Sequence, residues 1–521
     1  MNNTPSDELR YYAPQSRAPS RDVLDADLCV YGGTAAGVAA ALQAARDGLR
    51  AVVIENSGHP GGLTAGGLGW TDFGNTQSVG GIAREFYREI GKHYGVEEQW
   101  CFEPHAAGAV FDKWIAETGT PLLRRAFLAD VQMEAGRITA IRLEDGAQVR
   151  AKMFVDATYE GDLMARAGVR FTTGREGNAL YGETINGMQI HNKHQFDFPV
   201  DPYRVEGDPG SGLLPGIERG DDYALGAGDR RIQAYNFRMC LTDDPDNRIP
   251  FPKPANYNRA DYELLARYLR AGWNEVFAKF DRIPGKKTDT NNHGAFSTDF
   301  IGRNHAWPTV SYSGREKIFQ EHVTYQQGLQ WFLANDPSVP AAIRGEYARW
   351  GLPRDEFVTT GGWPHALYIR EARRMVSDYV TTENDCRGAH VADDPVALGA
   401  YGMDSHNCRR ILHNGRLCNE GDVQAAGFKP YAISYRSIVP RRGECGNLLV
   451  PVCVSASHIA FGSIRMEPVF MMLGQAAAIA AGLALRERCA TRDLPYAALR
   501  KALTKNGAVL AIKNVAINQI V

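Results

Sequence analysis

Charge of one sign is missing from this chain. It holds 58 Lys and Arg against 60 Asp and Glu, a formal net charge of −2, so no global field recruits nucleic acid or an anionic membrane. Paired cysteines are missing too. Nine are scattered along the sequence without one CxxC pair, which excludes the disulfide framework of a small secreted domain and predicts reduced thiols in a cytoplasmic setting. The N-terminus, MNNTPSDELRYYAPQSRAPSRD, lacks the apolar core of a signal peptide. The most apolar stretch, Val469–Leu485, is short for a span and carries Gln475, so it reads as a buried helix rather than a membrane one. There is no P-loop, no GxSxG elbow, no basic patch interleaved with aromatics and no internal repeat. His191 and His194 stand three apart without a thiolate or carboxylate cluster, so no metal site is expected.

What is present is length and glycine. A chain of 521 residues supports two or three domains, and its 54 glycines mark many sharp turns or close backbone approaches. Residues 1–24 read as a loose N-terminal arm. Residues 25–175 read as strand, glycine turn, helix and strand, then a glycine-rich loop, helices over 83–118 and a meander over 126–156. From 176 to 425 aromatic, Pro, Asn and His residues become frequent, which marks a mixed α+β substrate domain with helical patches at 259–279 and 313–334. Residues 426–490 return to the earlier style, and 491–521 form a C-terminal helix and tail. The largely apolar Val509–Val521 is a candidate docking segment, which makes a homodimer one option.

The segment Asp27–Glu55 carries the sharpest signal. An apolar strand runs into Gly32, Gly33, Thr34, Ala35, Ala36 and Gly37, an Ala-rich helix follows, and a second strand ends on an acid. Gly32 permits the tight turn, Gly37 lets helix and strand pack closely, and the helix N-terminus offers N–H groups and partial positive charge to a pyrophosphate. Glu55, 18 residues beyond Gly37, is placed to accept from ribose hydroxyls. Thr34 replaces the middle glycine of GxGxxG, so its side chain must point away from the phosphate or bond to it. A glycine loop with Gly61, Gly62, Thr64, Gly66 and Gly67 begins six residues after Glu55, dense enough to lie along a long cofactor. No second strand–GxGxxG–helix unit occurs, so no separate nicotinamide domain is expected.

With these residues in view, the chain resembles the FAD-dependent oxidoreductases built on the glutathione-reductase type of Rossmann domain, and a bacterial group within them that sometimes carries a "xanthan lyase" label. The resemblance covers nearly all of the chain after residue 25, through GGLTAGGLGWTDFGN (61–75), DATYEGDLMARAG (156–168), QAYNFRMCLT (233–242), REARRM (370–375) and PVCVSASHIAFGSIRMEPVFMMLGQAAAIAA (451–481). It implies an α/β fold with a discontinuous FAD domain and a bound FAD, held non-covalently in preference to a linkage through His59. It implies that Ala157, Thr158 and Asp162 form a second flavin motif near the adenosine half. It also implies a helix starting near Glu467 and Pro468 whose N-terminus faces the flavin ring.

Several residues are then candidates for chemistry. His458, between strand and helix, is placed to take a proton from substrate. Arg465 and Glu467 flank the same helix start and either bind substrate or pair with each other, pairing being the simpler reading. His406 follows Asp404 in a polar loop, two residues too close to be assumed a dyad. Trp363, His365, Tyr368 and Arg370 suit a small hydroxylated or carboxylated molecule or, alternatively, packing. Arg370, Glu371, Arg373 and Arg374 form a charged cluster; on a helix 370 and 374 would share a face, and such a cluster is ordinarily a solvated face or an ion-pair network, with one Arg near the flavin as the family alternative. Asp289–Asn292 and Asp299 suit polyol recognition, with Asx turns the simpler reading.

The expected function is a two-electron dehydrogenase or oxidase. It takes a hydride from an alcohol, sugar, polyol or amine and passes electrons to oxygen or an external acceptor. The alternatives are a flavoenzyme acting on a small carboxylate through an Arg and, in another class, a lyase or a non-redox flavin-binding protein.

Overall fold

The computed structural model describes residues 9–512. Strand β1 (Val23–Tyr31) leads through the glycine turn into α1 (Ala35–Arg46) and β2 (Ala51–Ile54), the expected unit. The short α2 (Gly62–Ala65), then α3 (Gly81–Tyr94) and α4 (Pro104–Thr118), precede β3 (Leu122–Leu123). The meander is β4 (Leu128–Glu134), β5 (Arg137–Leu143) and β6 (Gln148–Asp156), after which comes α5 (Asp162–Arg166). The sheet order is β3-β2-β1-β6-β5-β4. The first four strands run parallel, and the meander is antiparallel. The first residues of β6 pair with β5, while Phe154 and Val155 near its end pair in parallel with strand Leu448–Leu449, nearly three hundred residues away.

Helix Glu467–Glu487 closes the layer behind this sheet. By length and composition it meets the test for a membrane span, yet 89% of its apolar window is buried in the protein. A Cβ on Gly474 would lie 2.1 Å from the carbonyl oxygen of Ala36, so this helix and α1 cross in near-backbone contact, which explains the Ala-rich composition of both. Pro468 sits in its first turn and Met466 is the N-cap, close to the expected start. A second core, with Tyr235, Phe237, Trp307, Phe319 and Phe332, underlies the later region. There helix Tyr312–Asn335 matches the expected patch, but the earlier patch is helical only to Arg270. Gly272, at φ +121°, takes the chain out of helix at that point.

The N-terminal segment departs from the expectation of a loose arm. From residue 9 it is tied down. The N–H groups of Tyr11 and Tyr12 donate to Glu316 Oε2 at 2.7 and 2.8 Å, the Tyr11 ring packs edge-on against Trp307 and Phe127, and Arg17 pairs with Asp145. Two adjacent aromatic rings find buried partners, and that offsets the entropy of ordering the strand of chain between them. Residues 1–8 of the expected arm and 513–521 of the apolar tail lie outside the described residues. All nine cysteines are unpaired.

Candidate active site

The carboxyl ends of β1, β2 and β6 open onto one cleft. Its walls include Gly32, Thr34, Glu55, Gly62, Thr158, Tyr159 and Glu160, with Arg10 and Tyr11 of the N-terminal segment across from them. Thr34 resolves the question of the missing glycine. It caps α1, accepting from the N–H of Gly37 at 3.3 Å and donating to the Ala157 carbonyl at 2.7 Å, so its side chain points away from the cleft. Ala35 and Ala36, both fully buried, begin α1 directly after Thr34 of the cleft wall. A helix N-terminus beside a cleft carries the partial positive charge that favours a pyrophosphate. Gly32 adopts φ +103°, and a Cβ there would stand 2.6 Å from the main chain of Ala157 and Thr158, so the first and second motifs touch.

Glu55 accepts from the N–H of Gly33 at 2.6 Å and of Ser57 at 2.7 Å. Burial raises its pKa, against the pull of those bonds. His59 and His365 stack beside it at 4.2 Å. Both therefore stand at the acid end of the cleft. Asp162 turns away from the cleft toward Arg315 (2.5 Å) and Arg373 (2.7 Å). Its neighbour Glu160, which the sequence did not single out, faces the cleft instead. Gly66 and Gly67 make room for protein: a Cβ would lie 2.5 Å from Ala366 Cβ or 2.3 Å from the Arg238 carbonyl oxygen.

Glu467 joins three distant segments. Thr64 Oγ1 and Tyr159 Oη each donate to it at 2.7 Å, and burial pushes its carboxyl up to about 7. Arg465 does not pair with it. Arg465 donates to Tyr368 Oη at 2.7 Å and pairs with Asp404 at 2.9 Å. The extended backbone of Met466 (φ −85°, ψ 134°) sends its two neighbours to different partners.

Beyond the glycine loop these contacts close into a ring. Arg370 pairs with Asp299 (3.0 Å), whose other oxygen meets His406 Nδ1 at 2.7 Å. His406 Nε2 lies 3.5 Å from Asp404, which holds Arg465, which holds Tyr368, over whose face Arg370 sits at 4.6 Å. Burial works against the charge on Asp404, but His406, Arg465 and Arg370 hold its pKa well below the usual carboxylate range. Tyr368 packs on Leu63 and Leu68 of the glycine loop. Alongside, Arg238 grips Asp289 with two bonds of 2.8 and 2.6 Å.

The arrangement decides between the alternatives for three of these groups. Arg370 and Arg374 lie on no common helix; Arg374 is in a short strand and pairs with Glu176 and Glu371, and both arginines are buried. Asp289 and Asp299 form ion pairs instead of Asx turns. Trp363 is core, 1% exposed. His458 has no ring nitrogen to spare: Nδ1 meets Glu371 at 2.7 Å and Nε2 meets Ser405 Oγ at 2.9 Å. Burial, with Arg374 and Arg175 nearby, lowers it to about 3, so it is neutral. His194 bonds Asp422 and His191 meets Gln189. His93, Glu103 and His105 bring their ligand atoms within 4.8 Å of one another. The Lys287 ammonium, 2.7 Å from Glu103 and from the Glu356 that holds His105, already neutralises that corner.

A parallel sheet feeding a helix N-terminus, with a buried acid at the end of the next strand, is the arrangement of a dinucleotide-binding domain. The chain belongs to the FAD dependent oxidoreductase family, whose model matches residues 27–503. No curated protein matches the sequence. Among solved structures it is similar to a flavin-containing monooxygenase from Stenotrophomonas maltophilia (19% identity, 30% of this chain and 43% of that one, TM-score 0.21). It is similar to an L-proline dehydrogenase from P. horikoshii (16%, 30% and 59%, 0.23) and an L-amino acid deaminase from Proteus vulgaris (13%, 32% and 54%, 0.25). The chain thus spans about half the length of these structures.

Proposed function

We propose that the protein binds one FAD non-covalently along the cleft and oxidises a small neutral or cationic substrate, an alcohol, polyol or amine, beside the ring of Tyr368, Asp404, His406 and Arg465. Ala35 and Ala36 hold the pyrophosphate, Glu55 the adenosine ribose, and the segment around Gly62, Thr64 and Glu467 the flavin end. His59 belongs to the adenosine end in this reading, away from any linkage to the ring. FAD held there would supply the acceptor for a hydride from the substrate carbon, with oxygen or an external acceptor taking the electrons onward.

The observation that carries the reading is the contrast between the two histidines. His406 is oriented by Asp299 at 2.7 Å through Nδ1, while its Nε2 meets Asp404 only at the longer 3.5 Å. In this reading the neutral ring, oriented by Asp299, takes the hydroxyl or ammonium proton on Nε2 in place of its contact with Asp404, and Asp299 stabilises the imidazolium that forms. His458, bonded on both sides, positions Glu371 and Ser405. Charge selects the substrate. Arg238, Arg370 and Arg465 face Asp289, Asp299 and Asp404 one for one, and Asp72 adds a further carboxyl beside them. Each of these three arginines at the ring thus already has its carboxylate.

Anaerobic absorption titration of the holoprotein against polyols, amines and hydroxy acids tests this. Bleaching is expected with a polyol or amine, and His406→Gln should slow it about 10²- to 10⁴-fold without shifting the flavin spectrum. A yellow protein that bleaches only with hydroxy acids, or not at all, would overturn the reading.

A further inference from the structure

Buried arginines in this protein are matched with carboxylates. Arg175, Arg315, Arg374 and Arg409 each form an ion pair, as do the three arginines at the polar ring. Arg410 is different. It is 5% exposed, its Nε donates to Asn419 Oδ1 at 3.0 Å and its Nη2 to the Ala295 carbonyl at 2.8 Å. Among the described residues no carboxylate reaches ion-pair distance and no group accepts from Nη1. The guanidinium carbon lies 5.1 Å over the Phe296 ring, and burial lowers its pKa only to about 10, so the charge persists at neutral pH. An uncompensated buried charge is costly.

Arg410 borders a half-open cavity of about 560 Å³, the size of a small-molecule site. Phe296, Phe300 and Tyr325 form its apolar wall, Phe300 and Tyr325 stacked at 4.0 Å. Its rim mixes Asp261 and Glu321 with Arg303 and Lys317. The cavity and the cofactor cleft have no lining residue in common. We propose that this cavity binds a small organic carboxylate, with its anionic head on Arg410 Nη1 and its apolar body against Phe296, Phe300 and Tyr325. One free guanidinium nitrogen and a rim of balanced charge suit a monoanion better than a phosphate. The proposal is independent of the substrate reading. The two sites meet only at Asp299, which lies in the cavity wall and holds His406.

The test is isothermal titration of the flavin-loaded protein with benzoate, phenylacetate and hexanoate, and with benzamide as the neutral counterpart of benzoate. Saturable one-to-one binding of at least one carboxylate is expected, with benzamide silent. Arg410→Gln should weaken binding about tenfold or more, the loss of one charge-assisted hydrogen bond. Phe300→Ala, on the partly exposed wall, should weaken it as well and serves if Arg410→Gln fails to fold. Absence of saturation by all three carboxylates, equal binding of benzamide, or undiminished affinity in a folded variant would overturn the proposal.

Discussion

Glu55→Gln tests the adenosine end of the cleft in isolation. Both carboxylate oxygens already accept a main-chain N–H, from Gly33 and Ser57, and each keeps a second lone pair for a ribose hydroxyl. Glutamine has the same shape but one oxygen and one NH₂. It retains at most one of the two main-chain bonds and offers the ribose a neutral acceptor in place of a charged one. A charge-assisted hydrogen bond contributes about 1.5–3 kcal/mol, which corresponds to roughly 10- to 150-fold in Kd. The assay is titration of flavin-free protein by quenching of flavin fluorescence, once with FAD and once with FMN, which lacks the adenosine half. FAD should bind more weakly by that factor while FMN binds as before. Equal losses for both flavins, or no loss for FAD, would refute the placement of Glu55 on the ribose.

Other variants probe other parts of the molecule. Glu467 titrates near 7 in the fold against an ordinary 4.5, so the folded state holds its proton more tightly than the unfolded chain. Stability therefore declines as pH rises between those two values and is level above them. Glu467→Gln should remove that part of the slope in thermal melts of the flavin-free protein; identical slopes would show that Glu467 is not the cause. His458→Asn should cost about 1–2 kcal/mol of stability in urea melts by taking one of several donors from the buried carboxylate of Glu371. Its rate of flavin reduction per bound flavin should hold, and a hundredfold fall in that rate would return His458 to the chemistry. Deleting residues 1–17 removes Arg10 and Tyr11 from the cleft wall. FAD release, followed as recovering fluorescence, should quicken by about tenfold, the equivalent of one such contact, and unchanged release would mean that the segment packs there without retaining the cofactor.

What was legible in the sequence was local. The strand, turn, helix and acid of residues 27–55 carry their geometry within one contiguous stretch, and the meander turns and the start of helix Glu467–Glu487 do the same. The polar ring was not legible as a ring. Asp299, Tyr368, Arg370, Asp404, His406 and Arg465 span 166 positions of sequence, and each was read against its nearest neighbours. Arg465 was weighed against Glu467 and Arg370 against Arg374, although their partners lie elsewhere. The choice between His406 and His458 depended on how closely the second ring nitrogen is held, which is fixed by Glu371 and Ser405, residues remote in sequence from His458. The buried rim acid Glu160 could have been found as the second carboxylate of DATYEGD, two residues before the one that was chosen.

The strand Leu448–Leu449 sits beside β6, and helix Glu467–Glu487 lies directly against α1. A ribosome making this protein releases β1, α1 and β2 long before the segment that covers them exists. Until then Ala36 and its neighbours have no roof, and the cleft has no floor at its flavin end. Cofactor loading is therefore an event of the finished chain. A protein truncated anywhere before residue 450 should emerge as a substrate for chaperones and proteases, not as a half-active enzyme. Pairing strands so distant also makes slow folding the expected regime, with FAD, once captured, drawing the two ends of the chain together.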